Sequence, residues 1–207
     1  MLAGVLKVMV KKLQIIAAIL CISFIVFSSQ SYALESSVQL HKVDQDKSFG
    51  YSVSIGDEFF NQKAFIWQIS YNQLVNVAVV DLDETSEEWA KADLDFSIQT
   101  VDLSLGYRYY PKSYDKFVKS LMFEALVGVS ANLSDNKFVF KEVERNDLYF
   151  ANQGDINAVF SLSIQKSFTK NSAMHIGFKH YPSYSDFGSI STVFVGFNYR
   201  FGRPNRY

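Results

Sequence analysis

The sequence predicts an all-β protein, a closed antiparallel eight-stranded up-and-down transmembrane β-barrel, and three observations carry that expectation. Eight segments alternate apolar residues with polar or small ones at a period of two. The N-terminus has the basic, apolar and small-residue regions of an export signal. The connections between segments differ in length, shorter on one side and longer on the other, as an even-stranded membrane barrel requires.

Lys7, Lys11 and Lys12 precede an apolar run from Leu13 to Phe27, and Ser31-Tyr32-Ala33 places small residues three and one before a cut. Residues 1–33 therefore read as a signal peptide cleaved after Ala33. The apolar run falls short of the roughly 18 to 20 residues that a spanning helix needs. Leu20, bulky and directly before Cys21, argues against a lipidated cysteine. Cleavage removes the only cysteine, so stability must come from pairing and packing rather than from a disulfide. It also removes three of the twenty basic residues and none of the twenty-one acidic ones. Seventeen basic against twenty-one acidic residues leave a net charge of −4, which gives no support to nucleic-acid binding. Leu34 to Lys47 reads as an N-terminal lead, and 48–207 as one barrel domain.

The expected strands are Ser48 to Gly56, Ala64 to Asn72, Leu74 to Asp81, Leu94 to Tyr110, Phe117 to Asn132, Ile156 to Phe168, Ala173 to Tyr181 and Ile190 to Phe201. In the first, Phe49, Tyr51, Val53 and Ile55 alternate with serine and glycine. In the second, Phe65, Trp67, Ile69 and Tyr71 alternate with Gln68, Ser70 and Asn72. The fifth carries Leu121, Phe123, Ala125, Val127 and Val129, and the sixth Ile156, Ala158, Phe160, Leu162 and Ile164. The fourth shifts its apolar parity between Ile98 and Val101, which a β-bulge near Gln99 and Thr100 would explain. The last, with Val193, Val195, Phe197, Tyr199 and Phe201 on one face, is the most regular. Asn72-Gln73, Pro111 to Lys116 and Thr169 to Asn171 are expected as turns on one side. Asp57 to Gln62, Leu82 to Asp93, Leu133 to Asp155 and Pro182 to Gly188 are expected as loops on the other. Tyr71, Tyr107, Tyr109, Tyr110, Tyr199 and Phe201 would form an aromatic girdle at the turn side.

A soluble lipocalin-like carrier has the same alternation with its apolar face turned inward. The polar face here is mostly serine, glycine, asparagine and glutamine, as in Asn157, Ser161, Ser163, Gln165 and Ser167. Small uncharged groups suit a crowded interior better than a water-facing surface, so the apolar stripe is expected to meet hydrocarbon. The charged residues on the polar face, Asp95, Asp102, Arg108, Glu124, Lys179 and Arg200, with His175, are expected to pair as an ionic network that plugs the lumen.

These features together resemble the small eight-stranded outer-membrane β-barrel proteins of Gram-negative bacteria, and Gly196-Phe197-Asn198-Tyr199-Arg200-Phe201 looks like their closing strand. The resemblance implies residence in the cell outer membrane among lipid and lipopolysaccharide. It also implies insertion by the outer-membrane assembly machinery, with the signal ending at Phe201 or Tyr207. A weaker resemblance is to lipid A deacylases, barrel enzymes with a late His and Ser two apart. It would make His180 the base, Ser183 the nucleophile and Asp186 the orienting acid, although the spacing here is three and Pro182 intervenes.

Two loop segments are candidates for a working surface. In Leu133 to Asp155, Phe138, Phe140, Leu148 and Phe150 suggest a hairpin that extends above the membrane and could capture a host or cell-surface partner by strand addition. Asp81, Asp83, Glu84, Glu87, Glu88 and Asp93 surround Trp89 with only Lys91 to offset them, but the spacing lacks the glycine of an EF-hand loop. No cofactor and no metal is expected. The leading function is a non-enzymatic surface protein whose outer loops mediate adhesion, colonisation or envelope interaction, with the deacylase and the carrier as alternatives.

Overall fold

The computed structural model describes residues 34–45, 47–59, 62–78, 95–138 and 148–201. The expected signal peptide, the acidic segment around Trp89, Phe140 and Tyr207 lie outside the described residues. The strands are β1 (Glu35–Val43), β2 (Phe49–Phe59), β3 (Gln62–Ala78), β4 (Asp95–Tyr109), β5 (Leu121–Asn132), β6 (Asn136–Phe138), β7 (Leu148–Ala151), β8 (Ile156–Ser167), β9 (Ser172–Tyr181) and β10 (Ile190–Arg200). A one-turn helix, α1 (Lys116–Lys119), sits between β4 and β5. Eight strands close an antiparallel barrel in the order β1-β10-β9-β8-β5-β4-β3-β2, and β6 and β7 form a separate two-stranded hairpin.

The count of eight stands, but two of its members differ from the expectation. Glu35–Val43, read from the sequence as a lead, is the first strand and closes the barrel by pairing with both β10 and β2. Asn72-Gln73 is no turn: Ala64 to Asn72 and Leu74 onward belong to the single strand β3, which pairs continuously from Tyr71 through Leu74 with both neighbours. An asparagine at a lumen-facing position mimics turn chemistry, and here Asn72 Nδ2 instead donates to Thr100 Oγ1 on β4 (3.1 Å). The connections reassort accordingly. β2, β4 and β8 end, and β3, β5 and β9 begin, at the end that also holds Leu34 and Phe201, while the opposite ends of the barrel strands lie at the other, so the connection expected at Asp57 to Gln62 changes sides. We call these the terminal end and the loop end.

The bulge is also on the other strand. β4 pairs with β3 residue by residue from Tyr107 to Ile98, through Gln99 and Thr100, and the register shift falls in β3 between Leu74 and Val77, where Asn76 has φ 59°. The extra residue turns Val77 inward, opposite a β4 whose Ile98 points inward as well, so the parity change in the sequence records a change of lumen chemistry rather than a kink in β4.

Outside, the barrel is apolar. Leu40 and Leu162 are 64% and 61% exposed, and Val53, Leu103, Val127, Phe160, Ile176 and Val195 continue the belt around the ring. Toward the terminal end it gives way to aromatics, among them Phe65 against Tyr107 and Tyr199 against Phe201. Tyr71, expected there, instead lies further along β3, opposite Val53 and Val101. Inside, Ser37, Ser52, Ser54, Asn72, Thr100, Ser130, Gln165 and Asn198 are buried. This polarity is the reverse of a lipocalin-like carrier, whose apolar face would enclose a ligand, and it overturns that alternative.

Candidate functional site

The lumen is built in three layers. Nearest the terminal end is an ionic cluster that follows from strand register. Arg108 and Glu124 face each other across β4 and β5, and Glu35 and Arg200 across the closing pair β1 and β10. Arg108 spans the lumen between them: its Nε donates to Glu124 Oε2 (2.6 Å), and Nη1 and Nη2 donate to the two oxygens of Glu35 (2.8 and 2.5 Å). Arg200 pairs with Glu35 as well, and its Nη1 lies 3.2 Å from Glu58 Oε1. Gln165 Nε2 donates to Glu124 (3.2 Å), and Asn198 Nδ2 to Glu35 (3.2 Å). A bidentate guanidinium fork held by two carboxylates keeps buried charge compensated in a space that water scarcely enters.

The middle layer is a second, separate cluster. Lys179 reaches from β9 to donate to Asn72 Oδ1 (2.8 Å) and Asp102 Oδ2 (3.1 Å), and Asp102 also accepts from Thr100 Oγ1 and the Tyr181 hydroxyl (both 3.1 Å). His41 bridges Thr192 Oγ1 (3.1 Å) and Ser52 Oγ (2.9 Å). His175 lies between the layers with Nε2 3.4 Å from Ser37 Oγ and its Nδ1 buried without a partner. The lumen spaces beside these groups are small. One of about 20 Å³ is lined by Ser37, Gln39, Glu124 and His175, and one of about 10 Å³ by Glu35, Ser54 and Asn198. Each is close to the ~10–15 Å³ needed for a single water.

The layer at the loop end is apolar. Val43, Leu74, Val77, Ile98, Val159, Tyr181 and Ile190 turn inward from the barrel strands, and Tyr184, Phe187 and Ala151 pack with them, with Phe96 alongside. Phe187 meets Phe96 edge-on at 5.6 Å and Tyr184 at 6.1 Å. The loop that carries them folds back through Tyr184 N donating to Gly188 O (2.7 Å), and Gly188 at φ 72° takes a conformation that side chains disfavour. Burial, with Asp102 and Asp155 nearby, pushes the Tyr184 hydroxyl up from its ordinary value, so that it stays neutral.

The sequence-derived network thus separates into two clusters, Arg108, Glu124 and Arg200 in one and Asp102 and Lys179 in the other, with His175 in neither. Asp95 is the first residue of β4, and its side chain lies outside the described part. Glu35, Glu58, Asn72 and Tyr181 went unnoticed as partners. Glu35 could have been found from the alternation of Ser37, Gln39 and His41 with Val38 and Leu40, which marks β1 as a strand.

Of the proposed triad, His180 is on the outward face of β9 with Nδ1 2.9 Å from Ser191 Oγ, so the hydroxyl it contacts belongs to β10 and not to Ser183. Ser183 is exposed in the following loop, and the Asp186 side chain lies outside the described residues. Phe138, Leu148 and Phe150 are placed on the paired strands β6 and β7, their side chains outside the description. The base of this hairpin is anchored: Asn136 Nδ2 donates to Ser97 O (3.0 Å), Gln153 N to Asp135 Oδ1 (2.7 Å) and Ser185 Oγ to Asp155 Oδ2 (3.0 Å). Among the described residues no group of three His, Cys, Asp or Glu could hold a metal ion.

The fold is that of the small eight-stranded outer-membrane β-barrels. Among solved structures, the chain is similar to the N-terminal β-barrel domain of OprF from Pseudomonas aeruginosa, with 12% identity and a TM-score of 0.54 over 83% of this chain and 98% of that one. It is likewise similar to Neisserial surface protein A, with 12% identity and a TM-score of 0.52 over 82% of this chain and 97% of that one. No protein-family model matches the sequence, nor does any curated protein sequence.

Proposed function

We propose that the protein is exported by a cleaved signal peptide, resides in the outer membrane with its terminal end in the periplasm, and acts through its outer loops in adhesion, colonisation or envelope interaction. The observation that carries this reading is a barrel closed in three layers beneath an anchored hairpin. A lumen filled by paired charges and capped by aromatics leaves the loop end as the surface available for work. Lipid and lipopolysaccharide are its surroundings, because only hydrocarbon accommodates a belt of Leu40, Leu162, Phe160 and Val195. The outward aromatics Phe197, Tyr199 and Phe201 of the last strand suit capture by the assembly machinery.

The hairpin supplies the contact with a partner, since among the described residues β6 and β7 form a two-stranded sheet separate from the barrel, a form that can receive an added strand. Asn136 and Ala151 belong to its anchor, so the informative change removes residues 138–148 and keeps both. That deletion should leave the heat-dependent gel shift of the folded barrel intact and abolish adherence of expressing cells to epithelial monolayers. Adherence at the wild-type level would count against the loop as the working surface.

A further inference from the structure

The rim of the terminal end is chemically one-sided. The connection from β4 to β5 carries Lys112, Lys116 and Lys119, Lys166 lies near the end of β8, and Lys170 is in the turn to β9; all five are exposed. Asp115 is the acid in these segments, and its Oδ1 is occupied by the amides of Phe117 (2.7 Å) and Val118 (3.1 Å) as the cap of α1. The segments form one arc, because β5 and β8 are neighbours and Ser167 N donates to Ser120 O (3.0 Å). Lys166 Nζ stands 4.2 Å over the Phe117 ring. At the same end, Asp57 and Glu58 are on β2, away from this arc, with Glu58 engaged by Arg200. Tyr114, Phe117 and Phe168 are exposed beside the lysines, next to the apolar belt of Phe123 and Ile164.

We propose that this arc docks the anionic headgroups of phospholipids in the adjoining leaflet, the periplasmic one under the reading above, on which the leaflet assignment rests. Lysine stems lie along apolar surface while their ammonium groups reach the phosphate level, and amphipathic rings settle at the same depth. The exposed aromatics decide for lipid over a soluble polyanion, which would use the lysines and leave the rings in water. Each lysine within a Debye length of an anionic surface contributes roughly a fivefold preference at low salt, and the effect fades as salt rises.

The test uses the purified barrel in nanodiscs of equimolar phosphatidylglycerol and phosphatidylcholine, with retained lipids identified by native mass spectrometry. Wild-type protein should keep phosphatidylglycerol several-fold over phosphatidylcholine, less so in high salt, and the Lys112→Gln, Lys116→Gln, Lys119→Gln variant should lose most of that preference with its gel shift unchanged. Equal retention of both lipids by the wild type, a measurement that needs no variant, would overturn the proposal. So would a preference that survives the triple substitution. Orientation is read separately in cells: Tyr114→Cys, in a Cys21→Ser background, should react with an impermeant maleimide only after the outer membrane is opened. Labelling of intact cells would overturn the periplasmic assignment while leaving the headgroup preference to be judged on its own.

Discussion

Glu35 holds together parts of the barrel that are far apart in the chain. Its carboxylate takes both terminal nitrogens of Arg108 from across the lumen and also pairs with Arg200 across the closing seam, so one side chain ties the first strand to the fourth and to the last. Removing a single partner from a buried ionic group leaves charge without compensation, at a cost of about 3–5 kcal/mol. Glu35→Gln keeps the shape and removes the charge, leaving Arg108 with Glu124 and Arg200 with Glu58. Because each guanidinium keeps one carboxylate, the expected outcome is a loss toward the lower end of that range in the unfolding free energy from urea titration of the folded band. Glu124→Gln, which removes one of the Arg108 contacts, should cost less. Combining Arg200→Gln with Glu35→Gln should cost less than the sum of the two single changes, because the two residues are coupled and their effects will not add.

At the scale of elements, the outward face of each strand is a statement about solvent that a charge can interrogate. Leu162 lies midway along β8 and is largely exposed, whereas Phe201 follows the end of β10 among interfacial aromatics. An arginine at the bilayer midplane of a barrel costs about 2–4 kcal/mol, falling to about 0–1 near the interface. Leu162→Arg should therefore destabilise the folded barrel in lipid vesicles by the larger amount and Phe201→Arg by the smaller. Equal effects would mean that the belt does not face hydrocarbon. The same alternation explains what the sequence could convey. β2, β5, β8 and β10 were legible because Phe, Val and Ile on one face met Ser and Gly on the other. β1 was hidden because Ser36 and Lys42 share its outer face with Val38 and Leu40, which weakens the contrast. β3 was cut in two because Asn72 and Gln73 resemble a turn when their cross-strand partners are unknown. Salt-bridge partners were harder still: register places Arg108 beside Glu124, but its bonds to Glu35 depend on how the sheet closes.

Over the whole molecule, the lumen behaves as two plugs of opposite chemistry in series. The ionic clusters are built from strand-borne side chains, while the apolar layer depends on Tyr184 and Phe187 from the loop between β9 and β10. Each closes the passage by itself, since the spaces beside the charged groups, about 20 and 10 Å³, are near the size of a single water and the aromatic layer excludes ions on polarity. The barrel in a planar bilayer should accordingly show no steady conductance. Phe187→Ala with Tyr184→Ala should still show none, although it removes much of the apolar layer and should lower stability by several kcal/mol, as large-to-small changes at buried aromatics do. Conductance should require opening both ionic clusters too, for instance by adding Arg108→Ala, Glu35→Ala and Lys179→Ala in a variant that still displays the gel shift of a folded barrel. A current through the lid variant alone would mean that the Lys179 and Arg108 clusters part readily in the membrane, and the serial closure argued from their bond lengths would fail.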